Sequence, residues 1–327
     1  MRRLGAGFIV ALVALCAGVA TWMWHSYDAP GPLAAPATVV IPKSARLAAI
    51  AEELAAAGVV AHPWVFAAGS YVTGAARNLK AGEYEFAAAT SPRAAAALIA
   101  SGRVVQHRLT LAEGLTSAEA VALIDAAPAL DGALETTPPE GSLLPDTYFY
   151  VLGTKRWELI ARMEHARDRA LAEAWQRRAA DLPYASPRDA LVIASIIEKE
   201  TAVPAERARI AGVFIQRLRL GMRLQADPTV IYALTDGGRT PLPHPLGHDD
   251  LETESPYNTY LEKGLPPTPI DNPGLASIEA ALAPEESGDL YFVADGAGHH
   301  VFAKTLDEQN HHVAELRRLQ HGESGAE

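Results

Sequence analysis

One apolar run constrains the chain more than any other stretch. Leu191 to Ile197 holds a single polar residue, Ser195, and passes into Glu198-Lys199-Glu200 with no turn signal between. It reads as a central helix, Pro187 to Thr201, around which a domain has to be built. Residues two apart on a helix point roughly 200° away from each other, so the two glutamates face different ways. Glu200 stacks over Ile193, Ile196 and Ile197, whereas Glu198 stacks over Leu191, Ala194 and Ser195, a smaller and more polar surface. A carboxylate at the edge of an isoleucine stripe loses hydration in its charged form, so the Glu200 pKa is expected to rise. A raised carboxylic acid is what protonation of a glycosidic oxygen near neutral pH requires. The same pattern also suits a solvated end of a core helix, and the helix alone does not decide between them.

The other constraint lies at the N terminus. Arg2 and Arg3 precede an uncharged stretch, Leu4 to Trp24, that closes on Trp22 and Trp24. About 20 such residues span hydrocarbon as a helix. Arginines in front and aromatics behind predict the N terminus inside and the remainder outside. A cleaved signal peptide would need an A-x-A site before His25-Ser26-Tyr27-Asp28, and none is clear. Lipidation of Cys16 would want a small residue where Leu15 stands. Both observations favour an uncleaved anchor over residues 1–27. Cys16 is the only cysteine in the 327 residues, which excludes an internal disulfide and a cysteine metal cage. The net charge of −11 argues against a nucleic-acid partner and against a broad basic membrane-surface patch.

Past the anchor, residues 28–37 read as a proline- and glycine-rich linker. A small α+β module follows over 38–128. Thr38 to Ile41 is expected as a strand, Ser44 opens an alanine-rich helix, and Pro63 to Ala68 starts another. Ala81 to Phe86 alternates as a half-buried strand does, and Ser91-Pro92 caps a further helix. Strand, two helices, strand suits a small glycan-binding module or a plain spacer.

Residues 129–327 make a mixed α+β domain, with Trp157 to Ala180 a long helix, Glu206 to Leu220 another, and Thr229 to Leu234 a short one. Arg217 and Arg219 are expected outward or paired with acids. Gln225 and Asp227 fall at the start of the short helix, where Asp227 acts as a cap or the pair faces a sugar. Asp236 to Asp250 reads as an insertion. His244 and His248 have zinc spacing, but Pro243, Pro245 and Gly247 forbid the helix it needs, and no metal or other cofactor is called for. Tyr257-Asn258-Thr259-Tyr260 sets two aromatic rings beside amide and hydroxyl groups, followed by the proline-rich wall Leu265 to Pro269. Sugar rings stack on aromatic faces while their hydroxyls seek such partners, so a substrate groove is expected here, with a core-packed loop as the alternative.

ASIIEKET (Ala194 to Thr201), Glu206-Arg207, Val213 to Leu234 and SPYNTYLEKGLPPTPIDNPG (Ser255 to Gly274) together closely resemble the endolytic murein transglycosylase, or YceG-like, family. EGSLLPDTYFY (Glu140 to Tyr150) and LYFVADGAGHHVF (Leu290 to Phe302) extend the resemblance over nearly everything from Val39 onward. It implies a membrane-anchored enzyme that cuts nascent peptidoglycan strands beside peptidoglycan synthases, with a LysM-like subdomain after the anchor. The second glutamate of the family's EKE block is its catalytic acid, which maps onto Glu200. Lytic transglycosylation needs only that one acid, whereas ordinary hydrolysis needs a second carboxylate, and none is evident. Glu198 is given a supporting role, and Gln225, Asp227, Tyr257, Asn258, Thr259 and Tyr260 are candidates for substrate contact. A tethered peptidoglycan-binding scaffold without turnover is the rival reading from another class, and a muramidase the rival enzyme.

Overall fold

The computed structural model describes residues 2–323; Met1 and residues 324–327, the outer ends of the expected anchor and catalytic domain, lie outside the described residues. The chain forms two compact units. One takes the residues up to His107 with Phe149–Thr154, the other Arg108–Tyr148 with Lys155 onward.

In the first unit, α1 (Arg2–Asp28) is followed by β1 (Ala37–Ile41), α2 (Leu47–Ala56), α3 (Pro63–Val72), β2 (Gly82–Phe86) and α4 (Pro92–Ser101). Residues Gly7–Asp28 of α1 are long and apolar enough to cross a membrane. β1 and β2 pair antiparallel, with Val39 opposite Tyr84 and Ala37 opposite Phe86. Alternation then sends Val39, Ile41, Tyr84 and Phe86 inward, onto Ile50, Leu54, Phe66 and Ile99 of the helices. The α4 cap is as expected: the Ser91 hydroxyl accepts from the Ala94 N–H, with Pro92 in the first turn. Ser44 does not open α2; its φ of 63° is left-handed, and the helix starts at Leu47 after Arg46. The segment expected as a free linker is pinned to this unit, since the Gly31 N–H donates to Ala89 O and the Ala89 N–H to Leu33 O.

The second unit continues through β3 (His107–Thr110), α5 (Ser117–Ala126), β4 (Leu130–Asp131), β5 (Thr147–Tyr150), β6 (Thr154–Lys155) and the long α6 (Arg156–Gln176). Then come α7 (Pro187–Glu200), α8 (Arg207–Arg219), α9 (Asp227–Leu234), α10 (Leu275–Leu282), β7 (Tyr291–Ala294), β8 (His300–Ala303) and α11 (Leu306–Glu323). The unit boundary falls inside β3, β5 and β6. α7 is the centre of the second core, as its sequence demands. Ala190 to Ile197 are all buried, packed on Ile210 and Phe214 of α8 and on Ile278, Ala281 and Leu282 of α10. A capping box starts the helix: the Ser186 hydroxyl accepts from the Asp189 N–H while the Asp189 carboxylate accepts from the Ser186 N–H. Gly212 lets α8 approach the following chain, because a Cβ there would lie 2.0 Å from the Glu285 carbonyl oxygen.

Candidate active site

The two glutamates at the end of α7 do face apart. Glu200 is partly exposed above the fully buried Ile193, Ile196 and Ile197. Desolvation, reinforced by the nearby charge of Asp227, pushes its pKa from an ordinary 4.5 to about 8, and Arg217 offsets this only in part. Glu200 is therefore a neutral acid at pH 7. Glu198 instead turns to the chain before α10, its Oε2 accepting from the Gly274 N–H at 2.9 Å.

Around Glu200 the structure gathers four of the other residues singled out in the sequence. Asp227 is the first residue of α9 rather than its cap; Ala226 holds the capping position. The Asp227 carboxylate is thereby free to accept from the Tyr260 hydroxyl at 2.5 Å. Burial and this bond raise the Tyr260 pKa, so the phenol stays a donor. Gln225, in left-handed backbone with φ 54°, takes an Arg217 N–H on Oε1 at 3.3 Å. Arg217 itself is buried, contrary to expectation. Its guanidinium donates to the carbonyls of Leu290 at 2.7 Å and Leu224 at 2.7 Å and lies over the Tyr291 ring. It holds α8 to the β7 end and forms no ion pair with Glu200. Arg219, as expected, pairs with an acid, Glu286.

Two candidates for sugar contact turn out to be structural. Asn258 is wholly buried, its Nδ2 donating to the carbonyls of Leu251 and Thr253 and its Oδ1 accepting from the Tyr260 N–H. The Thr259 hydroxyl, also buried, accepts from the Ala226 N–H and bonds to Thr229. Both lock the loop that presents Tyr257 and Tyr260. Tyr257 remains partly exposed, with its ring 4.8 Å from that of Tyr232 and its hydroxyl 2.8 Å from that of Thr268.

The other side of α7 holds acids that local pattern did not reveal. Asp271 is wholly buried, and neither carboxylate oxygen has a hydrogen-bond partner. Desolvation raises its pKa well above the carboxylate range; Lys199 pulls it down, while Glu198, Glu140 and Glu119 push it up further. Glu140 accepts from the Ser117 N–H at 2.8 Å, yet desolvation still lifts it to about 7. Asn272 ties these segments together. Its Nδ2 donates to Leu115 O and the Ser117 hydroxyl, and its Oδ1 accepts from the Leu143 N–H. Beside them lies a cavity of about 480 Å³ lined by Glu119, Lys199, Tyr232, Arg239, Thr240 and Ile270, among others. Segment 236–250, which reads as an insertion in the sequence, thus forms one wall of it. His299 and His300 both bond to the Glu206 carboxylate.

An α+β chain led by an apolar helix, with a protonated glutamate at the end of its central core helix, is the class that this fold and site define. A family model described as YceG-like matches residues 39–315, and the chain belongs to that family. An endolytic murein transglycosylase of Bacillus subtilis (strain 168) is 40% identical over 173 residues, 53% of this chain and 46% of that protein. One from Streptococcus pneumoniae serotype 2 (strain D39 / NCTC 7466) is 36% identical over 181 residues, 54% and 32% respectively. The chain thus matches less than half the length of these curated relatives. The crystal structure of a yceG-like protein from Listeria monocytogenes superposes with a TM-score of 0.51 at 32% identity, covering 84% of this chain and 98% of that one.

Proposed function

We propose that this protein is an endolytic peptidoglycan lytic transglycosylase, anchored by α1 in the inner membrane with its N terminus cytoplasmic and its second unit periplasmic. The observation that carries the reading is Glu200, held as a neutral acid near pH 7 beside the Asp227–Tyr260 pair. Relatives named endolytic murein transglycosylase support the substrate. The bond cut is the β-1,4 link from N-acetylmuramic acid to N-acetylglucosamine in nascent strands, which ends their growth beside a peptidoglycan synthase. Glu200 donates its proton to the departing 4-oxygen as the bond from C1 breaks. The C6 hydroxyl of the same muramic residue closes on C1, and the Glu200 carboxylate takes the hydroxyl proton. A 1,6-anhydro end results, no water enters, and the acid is restored. Asp227 helps to keep Glu200 protonated, and Tyr260, bonded to Asp227, shapes the approach. Residues 38–128 act as a LysM-like glycan-binding subdomain, which the strand, two helices, strand order of the first unit supports.

Mass spectrometry of glycan strands treated with wild type, Glu200→Gln and Glu198→Gln tests this. Anhydro-ended fragments are expected from wild type and from Glu198→Gln, and none from Glu200→Gln. Full activity in Glu200→Gln would remove the assignment, and reducing ends in place of anhydro ends would make the enzyme a muramidase. Strand binding without any fragments would make it a scaffold.

A further inference from the structure

The end of α1 is built into the first unit. Tyr27 is 1% exposed in its core, with its ring against Gly69 of α3, where a Cβ would lie 2.4 Å away. Arg93 of α4 pairs with Asp28 and places its guanidinium 4.8 Å from the Trp24 ring centroid and 5.1 Å from that of Tyr27. A cation at a helix C-terminus also complements the helix dipole. One turn earlier, Trp22 stacks on Trp64 of α3 at 5.4 Å, with the His62 ring 5.7 Å from Trp22. Trp22 and Trp64 keep 46% and 48% of their surface, a half-exposed aromatic pair that no described residue covers, while Trp24 points to another side of α1.

These contacts fix depth. From Leu4 to Trp22 a helix rises about 27 Å, close to the roughly 30 Å of a bilayer's hydrocarbon. With α1 across a bilayer, Trp22 lies at the far edge of the hydrocarbon, and Trp64, stacked on it, lies at the same level. Tryptophan is enriched at that level because its ring is apolar and its N–H seeks water. We infer that the first unit is seated in the lipid headgroup layer through the start of α3, with Trp64 as its contact, rather than held off the membrane on a tether. The partner is the bilayer surface itself. The inference depends on α1 spanning the membrane and is independent of the catalytic chemistry.

Single-tryptophan versions of the full chain, the other four replaced by Phe (or by Tyr, should the Phe set fail to refold), test it in vesicles of lipid brominated near the headgroup. Far-UV circular dichroism in the same vesicles establishes folding. The Trp64-only protein is expected to show at least about half the bromine quenching of the Trp22-only protein, and protection from acrylamide, as for an interfacial ring. Quenching of Trp22 with Trp64 unquenched and open to acrylamide would overturn the proposal. So would the absence of quenching at both positions, which would mean that α1 does not carry Trp22 to the interface.

Discussion

Glu200→Gln is expected to make the protein more stable while making it inactive. The carboxyl has a pKa of about 8 when folded and an ordinary 4.5 otherwise. Below pH 4.5 both states hold the proton, and the group is neutral in the balance. As pH rises from 4.5 towards 8 the unfolded chain loses the proton and the folded one keeps it, so folding is progressively penalised; above 8 the penalty is constant. Each unit of pH in that window is worth about 1.4 kcal/mol, giving about 3.5 kcal/mol at pH 7 as an upper bound. Glu200 retains some exposure, so about 2 kcal/mol is the figure to expect after solvent screening. Glutamine has nearly the same shape and no charge to desolvate, so the variant escapes the penalty. Urea unfolding of both proteins in detergent, followed by circular dichroism at about pH 4, 6, 7, 9 and 10, measures it. The variant should match wild type at the lowest pH, gain through pH 6 and 7, and hold a constant lead above 8. A difference that does not change with pH, or a variant less stable at pH 7, would refute the claim that Glu200 is held neutral by burial.

The same pKa predicts that strand cleavage by wild type falls as pH rises past about 8, when Glu200 loses the proton it must donate; a pH–rate profile of anhydro-product formation checks this. Asn258→Ala should cost about 2 kcal/mol of stability, since two half-buried carbonyls and one N–H lose their partner, and denaturant melts should show that loss before any change in substrate affinity. Gly212→Ala forces α8 away from the Glu285 carbonyl and should destabilise by about 2 kcal/mol, visible in the same melts.

Position along the chain told most about features set by local rules. The apolar run of Leu191 to Ile197 announced the buried helix, the two-residue offset of Glu198 and Glu200 announced their divergence, and Ser91-Pro92 announced a helix start; all three are present. What local pattern hid was the fate of polar side chains. Arg217 looked like a surface cation because helix periodicity says nothing about carbonyls of Leu290 and Leu224 arriving from elsewhere. Asn258 resembled a ligand for sugars because an amide beside tyrosines has that chemistry, whether its partners are a substrate or its own loop. Asp271 is the clearest case. Its burial needs four segments, around Glu119, Glu140, Glu198 and its own, brought together by Asn272, and nothing within a few residues of it signals that. The same argument separates the two sides of α7. Glu200 owes its neutrality to desolvation reinforced by Asp227, and the isoleucine stripe of its own helix made part of that desolvation legible in the sequence. Asp271 and Glu140 owe their raised pKa values to tertiary burial, and any change that loosens the Asn272 bonds should let these two ionise more readily while leaving Glu200 protonated.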